Sequence, residues 1–203
     1  IFKGGQITPE TASEVKALKI SVTEAEVAEL SADLAEIGRH YPEVLNTVEL
    51  SNDSDKTVDM QELVDAIYES RQEAIDAGEE VEPIEVIISS SNEQDFDLDF
   101  SKVPKITTLN STPVDGERQT KVVLRNTSTN PIKIAALNGR LSENIDVLDL
   151  TDFDLEGLDL TDSGVKRLAL RGNGTVHADG LKGLISLLGV AADAISMMEF
   201  NSI

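Results

Sequence analysis

Along residues 17–88 the apolar and polar side chains follow two different periods. In Ala17-Leu18-Lys19-Ile20, Thr47-Val48-Glu49-Leu50 and Glu85-Val86-Ile87-Ile88, β-forming residues sit in short runs. Between these runs the apolar residues recur every three or four positions. Side chains alternate sides in a strand and share a face at helical spacing, so the runs predict strands and the intervening stretches helices. Val27, Leu30, Leu34 and Ile37 form the stripe of the first helix, opened by Thr23 and Glu26 as a capping box and ended at Gly38. Met60, Leu63, Val64, Ile67 and Ala74 form the stripe of the second, which starts near Asp59, with Glu62 three residues on, and stops at Gly78. Strand, helix, strand, helix, strand reads as a parallel arrangement with right-handed crossovers.

The predicted strand ends share a signature: a large aliphatic residue, then one or two small or polar turn residues. It occurs at Ile20-Ser21, Leu50-Ser51-Asn52, Ile88-Ser89-Ser90, Leu109-Asn110-Ser111, Leu124-Arg125-Asn126, Leu137-Asn138-Gly139, Leu150-Thr151-Asp152, Leu160-Thr161-Asp162, Leu170-Arg171-Gly172 and Phe200-Asn201-Ser202. The early gaps hold helices, and the later ones have room only for a turn and a few extended residues. Leu148, Leu158 and Leu168 recur at intervals of ten, as do Leu150, Leu160 and Leu170. Fixed-period repetition is the mark of stacked units sharing one core.

The β–α units ending in Leu-x-Leu and a turn resemble leucine-rich repeats. The five-residue units of 148–172, with Asp149-Leu150, Asp154-Leu155 and Asp159-Leu160, resemble pentapeptide repeats. The leucine-rich-repeat reading also covers the helical units and is preferred. It implies an α/β fold: a repeat solenoid of parallel strands, with helices in the N-terminal and C-terminal repeats and short helix-free rungs in the middle. The expected organisation is one repeat domain over 1–203: β–α repeats at 1–88, short β rungs at 89–172, and a terminal helix (178–195) and strand at 173–203.

Composition narrows the functions available. With 38 acidic and 17 basic side chains in 203 residues the formal charge is −21, and such a surface repels nucleic-acid phosphate. The absence of Cys excludes a disulfide scaffold, a thiolate zinc site and a cysteine nucleophile. It fits the expected extracellular or cell-surface location, although many cytoplasmic proteins also lack cysteine. With five Phe, two Tyr and no Trp, the core must be aliphatic. No apolar run is long enough for membrane insertion, and Leu181 to Ala194, interrupted by Lys182, Gly183 and Asp193, reads as a buried helix.

Candidate chemistry is confined to carboxylates. Stacking ten-residue units would set Asp149 beside Asp159 and Asp152 beside Asp162, with adjacent strands roughly 4.8 Å apart. Such a ladder is either a solvated acidic face or a set of ligands for calcium, the only cofactor the sequence suggests. Asp95, Asp97 and Asp99 alternate with Phe96, Leu98 and Phe100, which predicts a half-buried edge strand with its carboxylates outward. His40 reads as a surface cap at the first helix end. His177 with Asp179 has the residue types of a base and its orienting partner, but no nucleophile elbow accompanies them. Gly172-Asn173-Gly174-Thr175 reads as a turn, and the glycosylation sequons at Asn52, Asn110, Asn126 and Asn173 arise readily in such turns. The expected function is a non-enzymatic protein-binding or scaffold module, with Asp149, Asp159, Asp95, Asp97 and Asp99 facing a protein partner or another copy. The alternative is a self-assembling extracellular structural subunit cemented by calcium.

Overall fold

The computed structural model describes residues 17–40, 46–79, 81, 83–100, 108–109, 121–134, 138, 140, 147–160, 167–173, 176–177 and 186–187. The three N-terminal strands form where the alternation places them: β1 (Ala17–Ser21), β2 (Thr47–Asn52) and β3 (Glu85–Ser90). The helices between them are α1 (Val27–His40) and α2 (Met60–Asp76).

Their ends show how local chemistry sets the boundaries. At α1 the Thr23 hydroxyl donates to the Glu26 carboxylate at 2.7 Å, not to a backbone group, and a 3-10 turn, Glu24–Glu26, leads into the helix. At α2 the Asp59 carboxylate accepts the Glu62 N–H at 3.1 Å, satisfying one orphan donor. The stop at Gly78 is as predicted. Its φ of 82° is left-handed, and the Gly78 and Glu79 N–H groups donate back to the Ile75 and Ala74 carbonyls.

Gly38 has a different role from the expected stop. It lies inside α1, buried against α2, and a Cβ built on it would meet Ser70 Oγ at 2.1 Å and Ser70 Cβ at 3.2 Å. The glycine is there so that the two helices can approach closely. Gly38→Ala should destabilise the protein by roughly 1–2 kcal/mol through overpacking. Ser70→Ala in the same chain should recover most of that loss, as read from a double-mutant cycle in urea. A cycle with no coupling would refute the contact.

Downstream strands are β4 (Thr108–Leu109), β5 (Lys121–Asn126), β6 (Ile132–Lys133), β7 (Val147–Asp154), β8 (Leu158–Asp159), β9 (Arg167–Asn173), β10 (Val176–His177) and β11 (Ser186–Leu187). All described pairings are parallel. The main sheet runs β1-β2-β3-β5-β4-β7-β9-β11, with β6 pairing the end of β7, and a second sheet holds β8 and β10. The described residues thus form a mixed α/β structure with a parallel sheet and two α-helices.

Residues of one parity in the first four strands enter the core: Leu18 and Ile20, Val48 and Leu50, Val86 and Ile88, Val122 and Leu124. They meet Val27 and Leu34 of α1 and Met60, Leu63, Val64 and Ile67 of α2. Both helices therefore cover the same sheet face, as successive right-handed crossovers in one direction require. Beyond β3 the covering layer becomes non-α-helical: Phe96, Leu98, Phe100, Ile134, Phe153, Leu155, Leu158 and Leu160 are all buried. Phe96 and Phe153 meet edge to face, with centroids 5.3 Å apart and planes at 85°.

Three sequence expectations change. Residues 93–96 form a 3-10 turn, not an edge strand. The ten-residue period does not stack neighbour on neighbour: Leu148 pairs with Leu168, while Leu158 lies in the other sheet opposite Val176. Within 178–195, the expected terminal helix, the two described residues Ser186 and Leu187 are a strand paired with Arg167 and Leu168. No described helix is long and apolar enough to cross a membrane.

Candidate functional site

The strand ends and the uncovered sheet face hold the chemistry-bearing side chains. At the strand ends, Asn52, Ser90 and Asn126 stand in one register row. Asn52 and Asn126 open turns of the same construction. Each side-chain oxygen accepts the N–H two residues on, from Ser54 and Ser128, and each Nδ2 donates to the carbonyl four residues on, at Lys56 and Asn130. A side chain that replaces backbone partners in this way explains why asparagine is placed there. It also explains the sequons: Asn52 is buried and its amide is bonded within the protein. Asn110 lies outside the described residues, and the Asn173 backbone pairs with Asp154.

Asp95 is the centre of this region. The outward orientation expected for it is wrong: it is 1 % exposed. Its carboxyl accepts Asn52 Nδ2 at 2.7 Å, Ser90 Oγ at 2.7 Å and the Val58 N–H at 3.0 Å. The 3-10 turn carries Asp95 inward, capped by Asn92, whose side chain accepts the Gln94 N–H. Three donors converging on one buried acceptor make Asp95 a tie between the β2 turn, β3 and the N-terminus of α2. Asp97 is exposed and ion-paired with Arg140. The Asp99 backbone is bound by Gln61, whose carbonyl oxygen accepts its N–H at 2.6 Å. The three aspartates do not share a face.

Of the expected calcium ladder, the stacking of Asp149 on Asp159 is not found. The Asp149 backbone stands opposite Ala169 in the main sheet, and Asp159 opposite His177 in the second. Asp152 lies at an irregularity in the β7–β9 pairing, and Asp162 and Asp179 lie outside the described residues. Among the described residues no group of three or more His, Asp or Glu is placed to hold a metal. His40 is exposed at the end of α1, as expected. Tyr68 is buried in α2, and desolvation pushes its hydroxyl pKa upward against the opposing effect of the Arg71 guanidinium.

No described helix covers the other sheet face. Ala17, Lys19, Ser21 and Arg125 are exposed on it, Thr47, Glu49, Glu85 and Val123 are half-buried, and Ser51, Ile87 and Ser89 in the middle strands are buried. Glu49 receives Lys19 at 3.1 Å and Arg125 at 3.0 Å, so one carboxylate joins β1, β2 and β5. The two cations keep 70 % and 49 % side-chain exposure against 15 % for Glu49. At that exposure the pairs add at most about 1 kcal/mol each; they fix where the charges stand. Across the helices, Asp59, Glu62, Asp65 and Glu69 line an open groove of about 510 Å³ facing Ser31 and Ala35 of α1.

Lys19 and Arg125 were not singled out from the sequence. Aligning the strand ends puts Arg125 in register with Ser21, Ser51 and Ser89, the row in which it is found. Comparison with protein families, with curated proteins and with solved structures returns no match to this chain.

Proposed function

We propose that this chain is a non-enzymatic protein-binding module, a solenoid of parallel strands that docks a protein on the open face of β1, β2, β3 and β5. One observation carries the reading. Parallel sheets are normally covered on both faces, yet among the described residues α1 and α2 lie on one face and no helix on the other, where Ala17, Lys19 and Ser21 stand exposed along β1 while Ile87 of β3 is buried. The solenoid part rests on the coil lengths: Val147 pairs with Arg167 and Arg167 with Ser186, so successive strands return after about one similar length of chain. Relative to the sequence expectation, the docking surface moves from the aspartates to the sheet rows, because Asp95 is interior and Asp149 and Asp159 are in different sheets.

The test is capture from extracts of the source cells, comparing the native chain, Ala17→Trp/Ser21→Trp on the sheet face, and Ala32→Trp on exposed α1. A protein held by the native chain and by Ala32→Trp, and lost with the double variant, supports the reading. Capture indifferent to the sheet variant, or no captured protein, overturns it.

A further inference from the structure

On the sheet face away from the helices, the buried residues of β3 lie beneath an exposed ion pair. Ala17, Lys19 and Ser21 of the edge strand are exposed and Val123 of β5 is half-buried, yet Ile87 and Ser89 keep only 8 % and 4 % exposure. The register shows what passes over them. Glu49, Ile87 and Val123 stand in one row, and Ser51, Ser89 and Arg125 in the next row of the same face. Arg125 Nη1 nevertheless meets Glu49 Oε1 at 3.0 Å, two strands away and one row back. The two backbones are separated by roughly 10 Å across the strands and roughly 7 Å along them. Both side chains must therefore stretch over β3, passing between Ile87 and Ser89. An arginine suits that place, because its methylene stem can lie on an aliphatic side chain while the guanidinium stays wet.

We propose that Arg125 is a displaceable strap, which covers Ile87 and Ser89 when closed on Glu49 and uncovers them when released. This rests on the sheet-face reading above and adds what a docking protein has to displace. Two features make the strap easy to open. An exposed pair gains little, since water screens it and two long side chains must be held in one geometry. Opening also strands no charge, because Glu49 keeps Lys19 at 3.1 Å when Arg125 leaves. The strap is held by charge over a patch that carries none, so its closure weakens as salt rises.

The chain has no cysteine, so a single introduced thiol reads the cover directly. The measurement is the rate of reaction of the whole chain with N-ethylmaleimide, a neutral reagent, at about 20 mM and about 500 mM salt. Between these the Debye length falls from roughly 20 Å to roughly 4 Å. Ser21→Cys, exposed in the same row as Ser89, should react fast at both salts. Ser89→Cys should react more slowly at low salt and gain up to about fivefold at high salt, the factor that an exposed pair of about 1 kcal/mol holds back. Adding Glu49→Gln, which keeps the arginine but removes its anchor, should raise the Ser89→Cys rate at low salt and abolish the salt effect. Adding Arg125→Ala should do the same. Val86→Cys, on the face covered by the helices, reads whole-chain unfolding and should stay unreactive throughout. The strap is overturned if Ser89→Cys reacts as fast as Ser21→Cys at low salt, if its rate ignores salt or either second substitution, or if Val86→Cys accelerates with it. This readout needs no partner, so its failure leaves the capture experiment to decide the docking face separately.

Discussion

Asp95→Ala should lower the free energy of unfolding by about 3–5 kcal/mol, a large share of the 5–15 kcal/mol typical of a domain. The substitution leaves the Val58 N–H without its acceptor and takes one partner from Asn52 and from Ser90, all in the interior. A buried donor stripped of its acceptor costs about 1–3 kcal/mol, and three are affected together. In urea, with a slope near 2 kcal/mol/M, the midpoint should fall by roughly 2 M. Asp95→Asn should cost less, because one side-chain oxygen still accepts while the new amide faces donors. Ser90→Ala should be strongly non-additive with Asp95→Ala, since each removes the same bond. A loss below about 1 kcal/mol for Asp95→Ala would mean that the network is solvated and that Asp95 is a surface residue.

Phe153→Ala should be of similar size, about 3–5 kcal/mol, as for other large-to-small changes at buried aromatic positions. Phe153 is buried against Phe96 at 5.3 Å, so it joins the later strands to the turn that carries Asp95. For a domain of this length a melting point falls by roughly 2–4 °C per kcal/mol, giving a shift of roughly 10 °C. Calorimetry should show one transition moved as a whole. Two transitions, with the one belonging to β1–β3 in place, would show that the downstream strands fold on a separate core.

Local signals read well where the determinant is local. The α2 start at Asp59, its stop at Gly78 and the alternation in β1 depend on side chains within one turn or one strand, and each is found where the pattern put it. Aligning strand ends on their last aliphatic residue even gave the true register for Ile20, Leu50, Ile88 and Leu124. The failures all involve distant partners. Phe96-Asp97-Leu98-Asp99-Phe100 alternates like a strand, but Asp95 finds Asn52, 43 residues earlier, and that bond turns the segment inward. Gly38 reads as a helix stop until Ser70 of the neighbouring helix is placed against it. The leucine interval of ten gave no sign that alternate members belong to different sheets, because Leu148 and Leu158 have the same chemistry in either. The candidate site suffered for the same reason. The aspartates were visible as a pattern, while the pairing of Lys19 and Arg125 on Glu49 requires the strand order.

The change of covering layer has a consequence for curvature. A helix about 10 Å thick cannot sit over every strand at a spacing of about 4.8 Å unless the sheet bends away from it. Extended segments have the same spacing as the strands they cover and impose no such bend. From these thicknesses the face away from the helices should be concave where α1 and α2 lie behind β1–β3 and straighter where the buried residues of 96–100 and 153–160 pack behind the later strands. A convex body seats best at the helical end, and a long rigid one can touch only the straight part.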